Sequence, residues 1–196
     1  MQTSASDILT ALYHNRRDEA ARLADAAPTL TIWEASALGR DEIVTQLLAA
    51  DPSLANAAAQ DGHFPLGLAA FFGHPSTVRI LLRQGADAHA AAQNPMKVQP
   101  LHAAVASRNP DAVAAILDAG PDVNARQQVG YTPLMGAGAA GNESLVELLL
   151  ARGADPSLTS DDGKTAAAVA REHGHPALAE KLEILATAVG RPSSGR

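Results

Sequence analysis

The same residue types return along this chain about every 33 residues, and a period of that length restricts a chain to a stacked repeat array. Thr31, Pro65, Pro100, Pro133 and Ala166 form one column, with steps of 34, 35, 33 and 33 residues. One residue later stand Ile32, Leu66, Leu101, Leu134 and Ala167, and three further on Ala35, Ala69, Ala104, Ala137 and Ala170. Two more columns carry Val44, Val78, Val113, Val146 and Ala179, then Leu47, Leu81, Ile116, Leu149 and Leu182. A unit this short cannot bury its apolar face alone, so neighbours must stack into one continuous core. Such an array offers a partner a surface rather than offering a substrate a closed pocket.

Each unit reads as two short helices and a turn. Thr132 is placed to cap a helix, and Pro133 follows at the first helical position, where its missing N–H is harmless. That helix runs to Gly141. Asn142 starts a second one, in which Val146, Leu149 and Leu150 share a stripe, and Gly153 ends it. Asp155, Pro156 and Gly163 then turn the chain back as a loop or hairpin. Glycines 39, 73, 85, 120 and 174 repeat this punctuation.

At the N-terminus, Ser6 and Asp7 look like a cap and a first helical residue, so residues 4–27 are expected to form a helix pair without a turn. At the other end Leu178, Leu182 and Leu185 predict a last amphipathic helix. Residues 190–196 are a polar tail.

Several segments resemble the ankyrin repeat consensus. They are Phe64 to Ala70 (FPLGLAA), Gln99 to Ala104 (QPLHAA), Tyr131 to Leu134 (YTPL), Gln84 to Asp87 (QGAD), Gly120 to Ala125 (GPDVNA) and Arg152 to Asp155 (RGAD). The likeness covers about residues 28–188, and its alanine-rich style is similar to bacterial ankyrin proteins. It implies an all-α solenoid of stacked antiparallel helix pairs with projecting turns, in a single domain over residues 1–189. The expected order is the cap at 4–27, repeats at 28–59, 60–94, 95–127 and 128–160, and a capping unit at 161–189. The resemblance also implies a role in protein recognition.

The chain departs from that pattern. The family's Thr-Pro-Leu-His tetrad is complete in no repeat: Gln99 stands where His102 needs a Thr, and Met135 stands where Thr132 needs a His. Gly136 and Gly138 sit inside a helix, where each is expected to weaken it by about 0.5–1 kcal/mol relative to Ala. Stability is therefore expected to be uneven, with a weaker C-terminal half.

Composition excludes several classes of function. A net charge of −6 lacks the basic footprint of a nucleic-acid binder. The absence of cysteine removes disulfides and thiolate metal sites. Neither an apolar leader nor a run of ~18 apolar residues is visible. The expectation is a soluble cytoplasmic protein, monomeric when free, with no cofactor, metal, membrane or nucleic-acid partner.

The chemistry-bearing residues fall at structural positions. His173, Gly174 and His175 align with an inter-helix turn, so a metal role is not expected. His102 lacks a nearby nucleophile and reads as a structural histidine. Asp161, Asp162 and Gly163 are too short for a calcium loop. Asn124 reads as a turn-stabilising residue, and Trp33 is expected to be buried between the cap and the next layer.

The pair Phe71 and Phe72 stands out, because its counterparts are Ala37 and Leu38, Ala106 and Ser107, and Ala139 and Ala140. Aromatics make up 3% of the chain, so two adjacent ones read as a partner anchor. The turn tips Asp61 and His63, Met96 and Val98, Gln128, Val129 and Tyr131, and Asp161 and Asp162 are expected to set selectivity, with Ser107 on the same face. The turn from Ala90 to Gln99 is longer than its counterparts and is a second candidate contact. The function expected is non-catalytic binding of a protein partner through the concave helix face and the tips. The competing readings are a structural or stress-protective accessory without a dedicated partner, and an enzyme or metal-dependent protein on the same scaffold.

Overall fold

The computed structural model describes residues 6–189 as twelve α-helices, with no strand among the described residues. The polar tail at 190–196 lies outside the described residues. The helices come in pairs: α1 (Asp7–Tyr13) with α2 (Arg17–Ala26), α3 (Ile32–Leu38) with α4 (Asp41–Ala50), and α5 (Pro65–Phe71) with α6 (Pro75–Arg83). Then follow α7 (Pro100–Ser107) with α8 (Pro110–Asp118), α9 (Pro133–Ala139) with α10 (Glu143–Ala151), and α11 (Ala166–Glu172) with α12 (Pro176–Val189). Links of a few residues force each pair antiparallel. The odd-numbered helices pack in series as an inner row, and α4, α6, α8 and α10 form an outer row.

Caps explain where the inner helices begin. Ser6 Oγ accepts from the Leu9 N–H at 3.3 Å. Thr31 and Glu34 form a reciprocal box, with Glu34 Oε2 accepting from the Thr31 N–H at 2.8 Å. At α9 the Thr132 hydroxyl accepts from the Met135 N–H, and the Met135 sulfur accepts from the Thr132 N–H, both at 3.4 Å. The thioether thus completes the cap of a repeat that has no histidine at that position. The starts of α5 and α7, at Phe64 and Gln99, have Pro in the first turn and no side-chain cap.

The repeat columns fill the core. One buried cluster runs from Ile32 to Leu182 through Leu66, Leu101, Leu134 and Leu149. A second joins Ile8, Leu9, Leu12 and Ala20 of the first pair to Leu68 of α5. Trp33 packs half-buried where the two clusters meet, and its indole N–H donates to the Ala57 carbonyl at 2.9 Å. On α12, Leu178 and Leu182 are buried, but Leu185 is 41% exposed. Leu185 lines an open apolar cleft beside Val146 and Leu150 of α10.

One column of inter-helix turns shows how units fit together. Gly39, Gly73, Arg108, Gly141 and Gly174 all adopt a left-handed conformation, with φ of 69°, 76°, 59°, 62° and 84°. The His74 ring of the next unit lies over Gly39, and its Nε2 donates to the Ala37 carbonyl at 2.9 Å. His175 lies over Gly141 in the same way, so an added Cβ at either glycine would collide with an imidazole. After Arg108, which has a Cβ, the following unit carries the shorter Asn142 in place of the histidine.

Two asparagines staple neighbouring outer turns. Asn56 donates to the Gly85 carbonyl and accepts from the Asp87 N–H, both at 2.8 Å. Asn124 makes the equivalent pair of bonds with Gly153 at 3.3 Å and Asp155 at 2.9 Å.

Gly138 also differs from its sequence reading. A Cβ there would meet the Ala166 carbonyl oxygen at 3.0 Å and the Ala170 methyl at 3.6 Å. The glycine lets α9 lie close on α11, so its helix-weakening effect is offset by packing.

A candidate partner-binding groove

A backbone bond closes the base of each projecting turn. Ala59 N–H donates to His63 O at 2.8 Å, Ala92 to Val98 at 2.9 Å, Gln127 to Tyr131 at 3.0 Å and Ser160 to Lys164 at 2.9 Å. The long turn from Ala90 to Gln99 is tied to the turn before it. Gln93 N–H donates to Gly62 O at 2.7 Å, and the Asn94 amide donates to Asp61 O at 3.1 Å. Gly62 is needed there, since a Cβ would fall 2.6 Å from the Gln93 backbone. Likewise Asp161 N–H donates to Val129 O at 3.0 Å, which joins the last two turns.

These turns and the inner helices bound an apolar groove of about 350 Å³. Leu68 of α5 and Ala103 of α7 lie along it, and Phe71, Met96 and Val98 line it with His63. Gly67 opens it further, because nothing stands within 4 Å of where its Cβ would be. Phe71 is 43% exposed and Met96 57% exposed.

Phe71 and Phe72 are perpendicular neighbours, with ring centroids 5.1 Å apart, yet they face different surroundings. Phe72 is half-buried against the N-terminal cluster, whereas Phe71 faces the groove. The sequence gives both the same signal. Their separation follows from the ~100° turn between consecutive helical residues.

A residue outside the repeat columns completes the aromatic cluster. Tyr13, at the end of α1, places its ring 5.6 Å from Phe72, 6.3 Å from Phe71 and 6.2 Å from His63. Burial first, and then the negative charge of the nearby Asp61 carboxylate, push the Tyr13 hydroxyl well above its ordinary range. Asp61 accepts from the His63 N–H at 3.1 Å. The sequence reading passed over Tyr13, and the scarcity of aromatics in the chain is the one signal that could have found it.

The remaining predicted contacts lie elsewhere on the surface. Ser107 ends α7, where its hydroxyl donates to Ala104 O at 2.7 Å. Tyr131 lines a separate cleft of about 320 Å³ between α7 and α9, beside His102 and Gly136. Burial raises the Tyr131 hydroxyl, and burial lowers His102, whose Nε2 donates to the Tyr131 carbonyl at 3.1 Å. Gln128 is exposed, and Val129 is 63% exposed. Asp161 is paired with Arg126 at 2.9 Å. Asp162 accepts from Ser160 and lies 3.4 Å from Lys164, which hold its carboxyl below the usual range. The structure thus brings Asp61, His63, Phe71, Phe72, Met96 and Val98 to one region, with Tyr13. Ser107, Gln128, Val129, Tyr131, Asp161 and Asp162 stand apart from it. No group of three or more potential metal-ligating residues converges among the described residues. No helix among them is long and apolar enough to cross a membrane.

Comparison with protein families matches residues 32–127 to a model of three ankyrin repeats and residues 129–161 to a single ankyrin repeat. The chain belongs to the ankyrin repeat family. Ankyrin repeats are generally protein-interaction modules and typically carry no catalysis. Among curated relatives, the chain is 40% identical over 84 residues to the mitochondrial disaggregase of Bos taurus, covering 43% of this chain and 12% of that protein. It is 33% identical over 141 residues to a transient receptor potential cation channel subfamily A member 1 homolog of Caenorhabditis elegans, covering 72% of this chain and 11% of that protein. It is also 35% identical over 127 residues to neurogenic locus notch homolog protein 1 of Danio rerio, covering 64% and 5%. The chain spans 12% or less of the length of these three relatives.

Proposed function

We propose that this chain is a non-catalytic recognition module that holds a protein partner on its concave helix face, with the groove beside Phe71 as the anchor site. The observation that carries this reading is the exposed Phe71 ring over an open apolar groove, set in a family of interaction modules. An aromatic side chain offers large contact area for little lost rotamer freedom. The turn tips at Met96, Gln128 and Val129 add selectivity where a partner extends along the array. The module is read as one array from the helix pair at 4–27 to the unit at 161–189, acting as a cytoplasmic monomer until it meets its partner.

Gly67 supplies the test. Leu is a better helix former than Gly, and its side chain would enter open space on the groove side. Gly67→Leu is expected to keep helicity and melting temperature while filling the groove. Phe71→Ala removes the anchor, and loss of such a residue typically weakens binding by about 2 kcal/mol or more. Quantitative crosslinking in native lysate is expected to lose the same partners with both variants. A partner set unchanged by Gly67→Leu refutes the groove as the recognition surface.

A further inference from the structure

Resting on that reading, we propose that the groove receives a short peptide segment that lays a basic side chain, Arg or Lys, against the Tyr13 and Phe71 rings. A neighbouring aliphatic residue then sits against Met96 and Val98. Ring geometry is the first support. Tyr13, Phe71, Phe72 and His63 form one cluster with centroid separations of 5.1 to 6.3 Å. Tyr13 and Phe71 remain 41% and 43% exposed, and a cation within about 6 Å of such a ring is attracted by its quadrupole.

The balance of donors and acceptors is the second. Among the described residues, no lysine or arginine lines the groove. Asp61 is not itself a lining residue, but its carboxylate acts on the hydroxyl of Tyr13, which does line the groove. Gln127 Oε1 is buried along its wall without a donor. Such a surface is complemented by a group that only donates. Arginine and lysine are the side chains that carry several donors and no acceptor. The third support is the overall charge of −6, which attracts a cationic segment and repels an acidic one. The apolar wall at Met96 and Val98 selects an aliphatic neighbour beside the charge, which distinguishes the site from a surface that merely gathers cations.

The test uses a displayed library of random peptides, selected on the full chain and counter-selected on Gly67→Leu. Groove-dependent sequences are expected to carry Arg or Lys next to Leu, Ile, Val or Met. A synthetic peptide from that set is expected to bind about tenfold more weakly when its basic residue becomes Gln or when the protein carries Asp61→Asn. Its affinity is expected to fall as salt rises from about 0.05 to about 0.5 M. Circular dichroism of Asp61→Asn separates loss of charge from loss of fold, since the amide oxygen can still accept from the His63 N–H. Groove-dependent peptides that are wholly apolar or acidic overturn this inference and leave the recognition reading standing. A library with no groove-dependent winners also overturns it, while the lysate comparison independently decides the recognition reading. Light scattering that shows a dimer abolished by Gly67→Leu assigns the groove to a second copy of the chain and overturns the inference as well.

Discussion

Gly136 and Gly138 lie two residues apart in α9, so replacing each with Ala changes helix propensity equally and packing unequally. The shared gain is about 0.5–1 kcal/mol. At Gly136 the new methyl meets only Val105 Cγ1, at 3.3 Å, and beside it the cleft between α7 and α9 gives that side chain room to shift. At Gly138 it meets the Ala166 carbonyl oxygen at 3.0 Å, which is backbone at the start of α11 and cannot rotate away. Overpacking of that kind costs about 1–3 kcal/mol. Gly136→Ala is therefore expected to be neutral or stabilising by up to about 1 kcal/mol. Gly138→Ala is expected to be destabilising by about 0.5–2 kcal/mol. Urea unfolding followed at 222 nm measures both, and at this chain length the two melting temperatures should differ by several degrees. Equal shifts in the two variants, in either direction, would show that α9 and α11 do not make the close contact described.

Phe72→Ala is expected to destabilise by about 2 kcal/mol, and Phe71→Ala by well under 1 kcal/mol, because only Phe72 packs on the N-terminal cluster; equal losses in denaturant titrations refute the division between them. Asn124→Ala, which deletes both bonds of its staple, is expected to lose about 1–2 kcal/mol. Asn124→Asp, which keeps the acceptor, should lose less, with hydrogen exchange near residues 120–156 reporting the opening. His74 and His102 are lowered by burial, so the unfolded chain takes up their protons first as pH falls. Their contribution is complete above the ordinary histidine value of about 6.5 and is lost as pH falls through it toward their folded values. Melting temperatures at pH 7.5 and 5.5 are expected to differ for that reason, and His74→Gln with His102→Gln should flatten the difference. Added zinc or a chelator is expected to leave the melting temperature unchanged, and a shift of several degrees would reveal a bound metal.

The fold was legible because stacking demands the same residue at the same place in every unit. Leu66, Leu101 and Leu134 occupy one column, and each is buried. The groove was legible only in part. A repeat ruler highlights departures from its columns, and so it picked out Phe71 and the long turn around Met96. It has no column for Tyr13, whose place beside Phe71 is set by how α1 docks on the array. Phe71 and Phe72 are equivalent as letters, and the helix alone decides which ring meets the groove. Met135 showed the opposite limit. Its lack of an imidazole looked like an empty place in the cap, yet its sulfur accepts the Thr132 N–H there. Gly138 carried a known helix penalty, while the closeness of α11 that makes it useful is a long-range property.

The imidazole-over-glycine fit between successive turns also limits how the gene for such a chain can be rearranged. A unit that opens its second helix with His74 or His175 requires a predecessor whose turn lacks a side chain. Loss of the unit at 128–160 would bring Arg108 in front of His175, where its Cβ and the ring compete for one space. Loss of the unit at 95–127 would bring Gly73 in front of Asn142, a junction of the kind the chain already uses between Gly73 and Asn109. Units that look interchangeable by their columns thus differ in what may precede them, and in-frame deletions should survive at the second junction and fail at the first.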